Sequence, residues 1–184
     1  MTKSNITFEY FEKLQEGKHL VEIYEDYSHS NDFDVGQILH LDKQSKNILF
    51  KLYDENGFFD GYMIIPLSQV TYFSAHSKYL ISLQHKIDLA KKTNLFYFAS
   101  PNQKIENITD LSFSNVLNIL KKTEIIAGLH FIFHADNAIE YGKVQGFSDA
   151  SITFQVCYHK KLTDTLNIYR LGDLTHIIIG NKYC

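Results

Sequence analysis

The chain has 184 residues, 45% of them hydrophobic and 14% aromatic, with a formal net charge of -3. That composition can fill a packed core and excludes a disordered chain, and the charge offers no global field to draw in nucleic acid or an anionic membrane. No window approaches the ~18 consecutive apolar residues of a membrane-spanning helix, and the N-terminus lacks the apolar core of a signal peptide, so a cytoplasmic protein is expected.

The first predicted element is a short amphipathic helix, with Phe8, Phe11 and Leu14 at helical spacing and Gly17 as its stop. Five strands follow. Leu20–Tyr24 is the first and Phe33–Leu41 the second, with Gly36 where a bend is easy. Asn47–Tyr53 is the third, with Ile48, Phe50 and Leu52 on one face. After a turn at "DENG" the fourth carries Tyr62 and Ile64. A corner at Leu67-Ser68-Gln69 leads to a fifth with Val70 and Tyr72. Residues 77–94 read as a helix whose apolar side holds Leu80, Leu83, Ile87 and Leu89–Ala90, and "LFYFA" as a further strand. This linker can pack, so the two halves are expected to form one rigid body.

The pattern then returns. Phe113, Val116, Leu117 and Leu120 share one helix face, with Ser112 or Ser114 available as cap. Strands are predicted at His130–His134, Ile139–Phe147 and Ser151–Tyr158, followed by one with Leu166 and Ile168 and an apolar end at "LTHIII". Shifting the chain by 104 residues aligns Ile48 with Ile152, Phe50 with Phe154, Asp60 with Asp164, Ile64 with Ile168, Leu67 with Leu171, Thr71 with Thr175 and Lys78-Tyr79 with Lys182-Tyr183. Upstream, Gly36-Gln37-Ile38 meets Gly142-Lys143-Val144, and Gly17-x-His19 is set against Gly128-x-His130. An ordered series of this kind reads as an internal duplication.

A helix followed by five short, bent antiparallel strands resembles the Sm-like (LSm) family of small SH3-type barrels. Gly36-x-Ile38, Asp42 and Asn47-Ile48-x-Phe50 are similar to its first motif. The resemblance implies a mainly β (α+β) fold of two tandem five-stranded barrels, each preceded by a helix. Residues 1–80 would form the first, 81–108 a helical linker and 109–184 the second. It also implies single-stranded RNA as a partner, with Asp42 holding the loop and Asn47 touching a base. The second family motif is missing: its corner reads Leu67-Ser68-Gln69 and Leu171-Gly172-Asp173, without a basic residue. Only Asp42 and Asn47 carry over.

Other candidates are weaker. His130 and His134 are four apart on a strand, about 13 Å, too far to share a metal without help; Asp136 could add a carboxylate, but strand-edge polar residues are the expected reading. Asp60 and Asp164 suit turn-fixing carboxylates. The stretches Lys91-Lys92 with Phe96, Tyr97 and Phe98, and Tyr158-His159-Lys160-Lys161, interleave lysines with aromatics as a single-strand binder does. Against that, a solvated helix end and loop tip account for the same lysines. Only Arg170 is an arginine among the 18 basic residues, which counts against sequence-specific DNA reading. Cys157 and Cys184 give neither a disulfide scaffold nor metal spacing. With no nucleophile, phosphate-loop or metalloprotease motif, no catalysis, cofactor or metal is expected. The expected function is a non-enzymatic interaction or assembly module, self-associating or holding a protein partner, as a pair or a three-chain ring. The alternative is a single-stranded RNA binder.

Overall fold

The computed structural model describes residues 8–25, 33–93, 102–132, 139–159 and 161–180. The fold is mainly β. Its elements are α1 (Phe8–Glu16), β1 (Leu20–Tyr24), β2 (Asp34–Asp42), β3 (Asn47–Tyr53), β4 (Phe59–Pro66) and β5 (Tyr72–Ser74). There follow α2 (Lys78–Thr93), α3 (Gln103–Glu106), α4 (Phe113–Thr123), β6 (Ala127–Phe131), β7 (Ile139–Phe147), β8 (Ser151–Tyr158), β9 (Lys161–Arg170) and β10 (Leu174–Ile179).

Neither set of five strands closes on itself. Hydrogen bonds join all ten into one sheet, ordered β5-β1-β2-β3-β4-β10-β6-β7-β8-β9, and every pairing is antiparallel. The order of the first five, β5-β1-β2-β3-β4, recurs as β10-β6-β7-β8-β9. The two sets meet at a seam where β4 pairs with β10 through Ile64↔Ile177, Met63↔Ile178 and Tyr62↔Ile179. Both also bulge at corresponding places, between Ile38 and His40 on β2 and between Val144 and Gly146 on β7. A bulge adds twist and bends its strand, so both halves curl at the same step. The predicted corners are 3-10 turns at Leu67–Gln69 and Leu171–Asp173. Each is anchored by a backbone bond from its leucine, Leu67 N to Lys46 O and Leu171 N to Ala150 O.

Several predicted positions need correction. Gly17 does not end α1 by adopting a left-handed conformation; Lys18 does, at φ 50°. At Gly17 a Cβ would lie 2.4 Å from the His19 ring, which would have to swing aside. The sixth strand begins at Ala127, earlier than His130. Of the two candidate caps for α4, Ser112 serves, accepting from Asn115 N. The carboxylate that fixes the "DENG" turn is Asp54, which accepts from Asn56 N and Phe58 N. Asp60 and Asp164 lie within β4 and β9. "LFYFA" falls outside the described residues.

Two main cores result. Phe11, Leu14, Val21, Ile48, Phe50, Met63 and Ile65 of the first half form one, joined by Ile178 of β10. The other joins Val144, Ile152, Phe154 and the α4 residues Val116, Leu117 and Leu120 of the second half to Leu49, Tyr62 and Ile64 of the first. Thus alternate residues of β3 and β4 face away from their own half and are covered by the other. A smaller cluster packs Leu80, Leu83 and Ile87 of α2 on Leu20, Val35 and Tyr53. A polar tie holds the linker: Tyr62 Oη and Lys51 Nζ both donate to Glu106 Oε1 (3.1 and 2.7 Å), and Asn102 N donates to Tyr62 Oη.

Candidate functional site

The sheet has two edges, β5 and β9, and their position follows from the seam. In the first half the outward side chains of β4 are satisfied: β10 takes its backbone, and α3 and α4 with their flanking segments cover Tyr62 and Ile64, which are 2% and 0% exposed. In the second half β9 holds the place of β4. It pairs with β8 on one side, and among the described residues no strand lies on the other. Leu166 and Ile168 occupy the places of Tyr62 and Ile64. They are 57% and 74% exposed, and Leu162 lies on the same face. A ten-residue edge strand with an apolar outer face is a template for pairing with another chain.

The opposite edge is also apolar. Tyr72 on β5 is exposed, and Phe73 packs on Phe11 (4.9 Å between centroids) and on the exposed Tyr10 (5.2 Å). β5 runs for three residues, the number that β10 gives to β4 at the seam.

The residues singled out for RNA are used inside the protein. Asp42 accepts from Gln44 N, Ser45 N and Ser45 Oγ, and also from Leu111 N (2.9 Å) at the entry to α4. Asn47 is buried and its Nδ2 donates to Leu111 O at 2.7 Å. The pair thus clamps the loop at 43–46 and ties it to the second half. Burial pushes the Asp42 carboxyl up, but the four accepted bonds together hold it below the usual carboxylate value. Its contribution to stability is therefore complete above the unfolded-state value near 3.8 and is lost as the pH falls through the lower folded-state value. Asp42→Asn is expected to cost about 1–2 kcal/mol at pH 7. Denaturant melts across pH should show the gap to wild type narrowing below about pH 4.

Lys91 and Lys92 lie exposed at the end of α2, and Tyr158, His159 and Lys161 at the β8–β9 turn, where His159 takes φ 48°. Lys160, Phe96, Tyr97, Phe98, His134 and Asp136 lie outside the described residues. The match of His19 with His130 does not survive the strand pairing. Val21 opposes Gly36 as Ala127 opposes Gly142, so the counterpart of His130 is Tyr24. His19 instead lines a cleft of about 450 Å³ with His76, His85 and Asp88.

Sequence reasoning anticipated self-association but not which strand would carry an apolar edge. The available signal was the coincidence of Ile64 with Ile168 under the 104-residue shift. No helix among the described residues is long and apolar enough to cross a membrane. No family model matches the chain, and neither does any curated protein or solved structure.

Proposed function

We propose that the chain is a duplicated Sm-like unit and that it works as a non-enzymatic assembly module, joining to further copies of itself edge to edge. One observation carries this: β9 exposes the very positions that β4 buries at the internal seam. The seam is a template for the missing contact. If β5 of a second copy stood to β9 as β10 stands to β4, Phe73 would oppose Ile168, because Ile177 opposes Ile64 and both members shift by 104. The contact is heterologous, so it closes into a ring or runs on as a filament.

The supporting features are the shared strand order, the paired bulges, the matched 3-10 corners and the apolar character of both edges. The face is also mixed, since Thr153 and Gln155 on β8 stand where β3 has Leu49 and Lys51. That composition suits an association that forms and releases. The RNA alternative rests on Asp42, whose Oδ2 accepts from Leu111 N, and Asn47, whose Nδ2 donates to Leu111 O.

The test is mass in solution. Wild-type protein at tens of micromolar should sediment as a multiple of the 21.4 kDa chain. Ile168→Lys should give single chains, whereas Ile81→Lys on α2, also an exposed position, should leave the mass unchanged. A wild type that stays monomeric, or an assembly indifferent to Ile168→Lys, overturns the proposal. Salt-sensitive retention of A- or U-rich RNA by such a monomer would favour the alternative.

A further inference from the structure

The slot where the first strand of each half meets its fifth is filled differently in the two halves. In the first, Tyr24 on β1 opposes Tyr72 on β5, and their rings lie 5.3 Å apart. In the second, the opposed residues are His130 on β6 and His176 on β10, stacked at 4.5 Å and 13°. One hydroxyl bond recurs in both: Thr71 Oγ1 donates to Tyr24 O, and Thr175 Oγ1 to His130 O. The β6–β10 register shifts between Leu174 and His176, leaving Thr175 as the bulged residue. Bulges re-aim the side chains beside them.

A carboxylate reaches this slot from the first half. Glu25 follows the end of β1, and its Oε2 lies 3.3 Å from His176 Nδ1. His176 is 5% exposed and Glu25 half-buried. Thr175 Oγ1 sits 2.5 Å from His130 Nδ1 and 3.5 Å from His176 Nδ1. One ligand atom from each of Glu25, His130 and His176 lies within 4.8 Å of the other two.

We propose that Glu25, His130 and His176 bind a divalent transition metal of the zinc class, clamping the end of β1 to the β6–β10 pair. Two imidazole nitrogens and one carboxylate oxygen are the borderline donor set that zinc takes, with water at the fourth position. Donors around tetrahedral zinc stand about 3.3 Å apart, given metal–ligand bonds of about 2.0 Å. The Glu25–His176 separation already has that value. His130 closes the remaining gap by leaving the stack, and the Thr175 hydroxyl is then placed to hold the bound water. The site would be confined to the second half's slot, since the tyrosine pair of the first half supplies no imidazole.

The experiment uses the full chain after treatment with a chelator. Calorimetric titration with Zn²⁺ should show one saturable equivalent, and Co²⁺ should give the visible absorption of a tetrahedral complex. The thermal midpoint should rise by about 5–10 °C at a hundredfold excess over Kd. His176→Tyr and His130→Tyr install what the first half carries at this place. Each should keep the metal-free circular dichroism and weaken binding at least 100-fold, and His176→Asn serves if the tyrosine variant does not fold. Glu25→Gln should weaken binding about tenfold or more. Absence of saturable binding overturns the proposal. So does full retention of the equivalent in the double histidine variant, which would assign the metal to other members of the nine histidines.

Discussion

Replacing Gly142 with alanine is expected to be among the most damaging single changes in the protein, although it adds one methyl group. A Cβ there would fall 2.0 Å from Gln155 O and 2.9 Å from the Phe154 ring. Gln155 O is backbone on the neighbouring strand, so no side-chain rotation relieves the clash, and β7 and β8 would have to part. The expected cost is about 3 kcal/mol or more. For a chain of this length that corresponds to a fall of about 6–12 °C in thermal midpoint. Gly36, in the same place on β2, has its nearest obstacle, Lys51 O, at 2.6 Å. Gly36→Ala should therefore cost less than Gly142→Ala. Calorimetry on the two variants checks both the size and the order. A Gly142→Ala protein melting with the wild type would mean that β7 and β8 do not approach as described.

The second large effect concerns one residue type at two matched positions. Ile64→Ala removes a side chain that is fully buried where the two halves share a core, and should cost about 2–5 kcal/mol, as cavity-forming truncations do. Ile168→Ala removes an identical side chain that is 74% exposed and should stay within about 0.5 kcal/mol. Urea melts of both variants, at concentrations low enough to keep chains apart, give the comparison directly. Similar losses at the two sites would mean that β9 is already covered within a single chain.

Much of the local structure was legible because its causes are local. Alternation of Ile48, Phe50 and Leu52 placed β3, and its echo in Ile152, Phe154 and Val156 placed β8, since the side chains on one face of a strand recur every second residue. A serine cap was legible before an apolar helix face, but only the structure chose Ser112 over Ser114. What stayed hidden depends on contacts between distant segments. Nothing in the letters around Asn47 tells that its amide is spent on Leu111, 64 residues away. Nor does the pattern of β4 announce that β10 will lie against it, because an apolar run fits a closed barrel and a shared seam equally well. His130 was set against His19 by likeness of letters, five residues from its counterpart by pairing, Tyr24. The Glu25, His130 and His176 grouping was invisible for the same reason: a bulge and a strand register bring it together, and neither follows from spacing along the chain.

The placing of β10 also governs how the molecule can be made. This strand lies in the middle of the sheet, between β4 and β6, yet it is synthesised after the other nine. Until it emerges from the ribosome, β4 and β6 both present unpaired rims, and each could wrongly recruit a neighbour. Its arrival zips the nascent sheets together in one late step between residues far apart in sequence, the kind of closure that slows folding and invites help from chaperones.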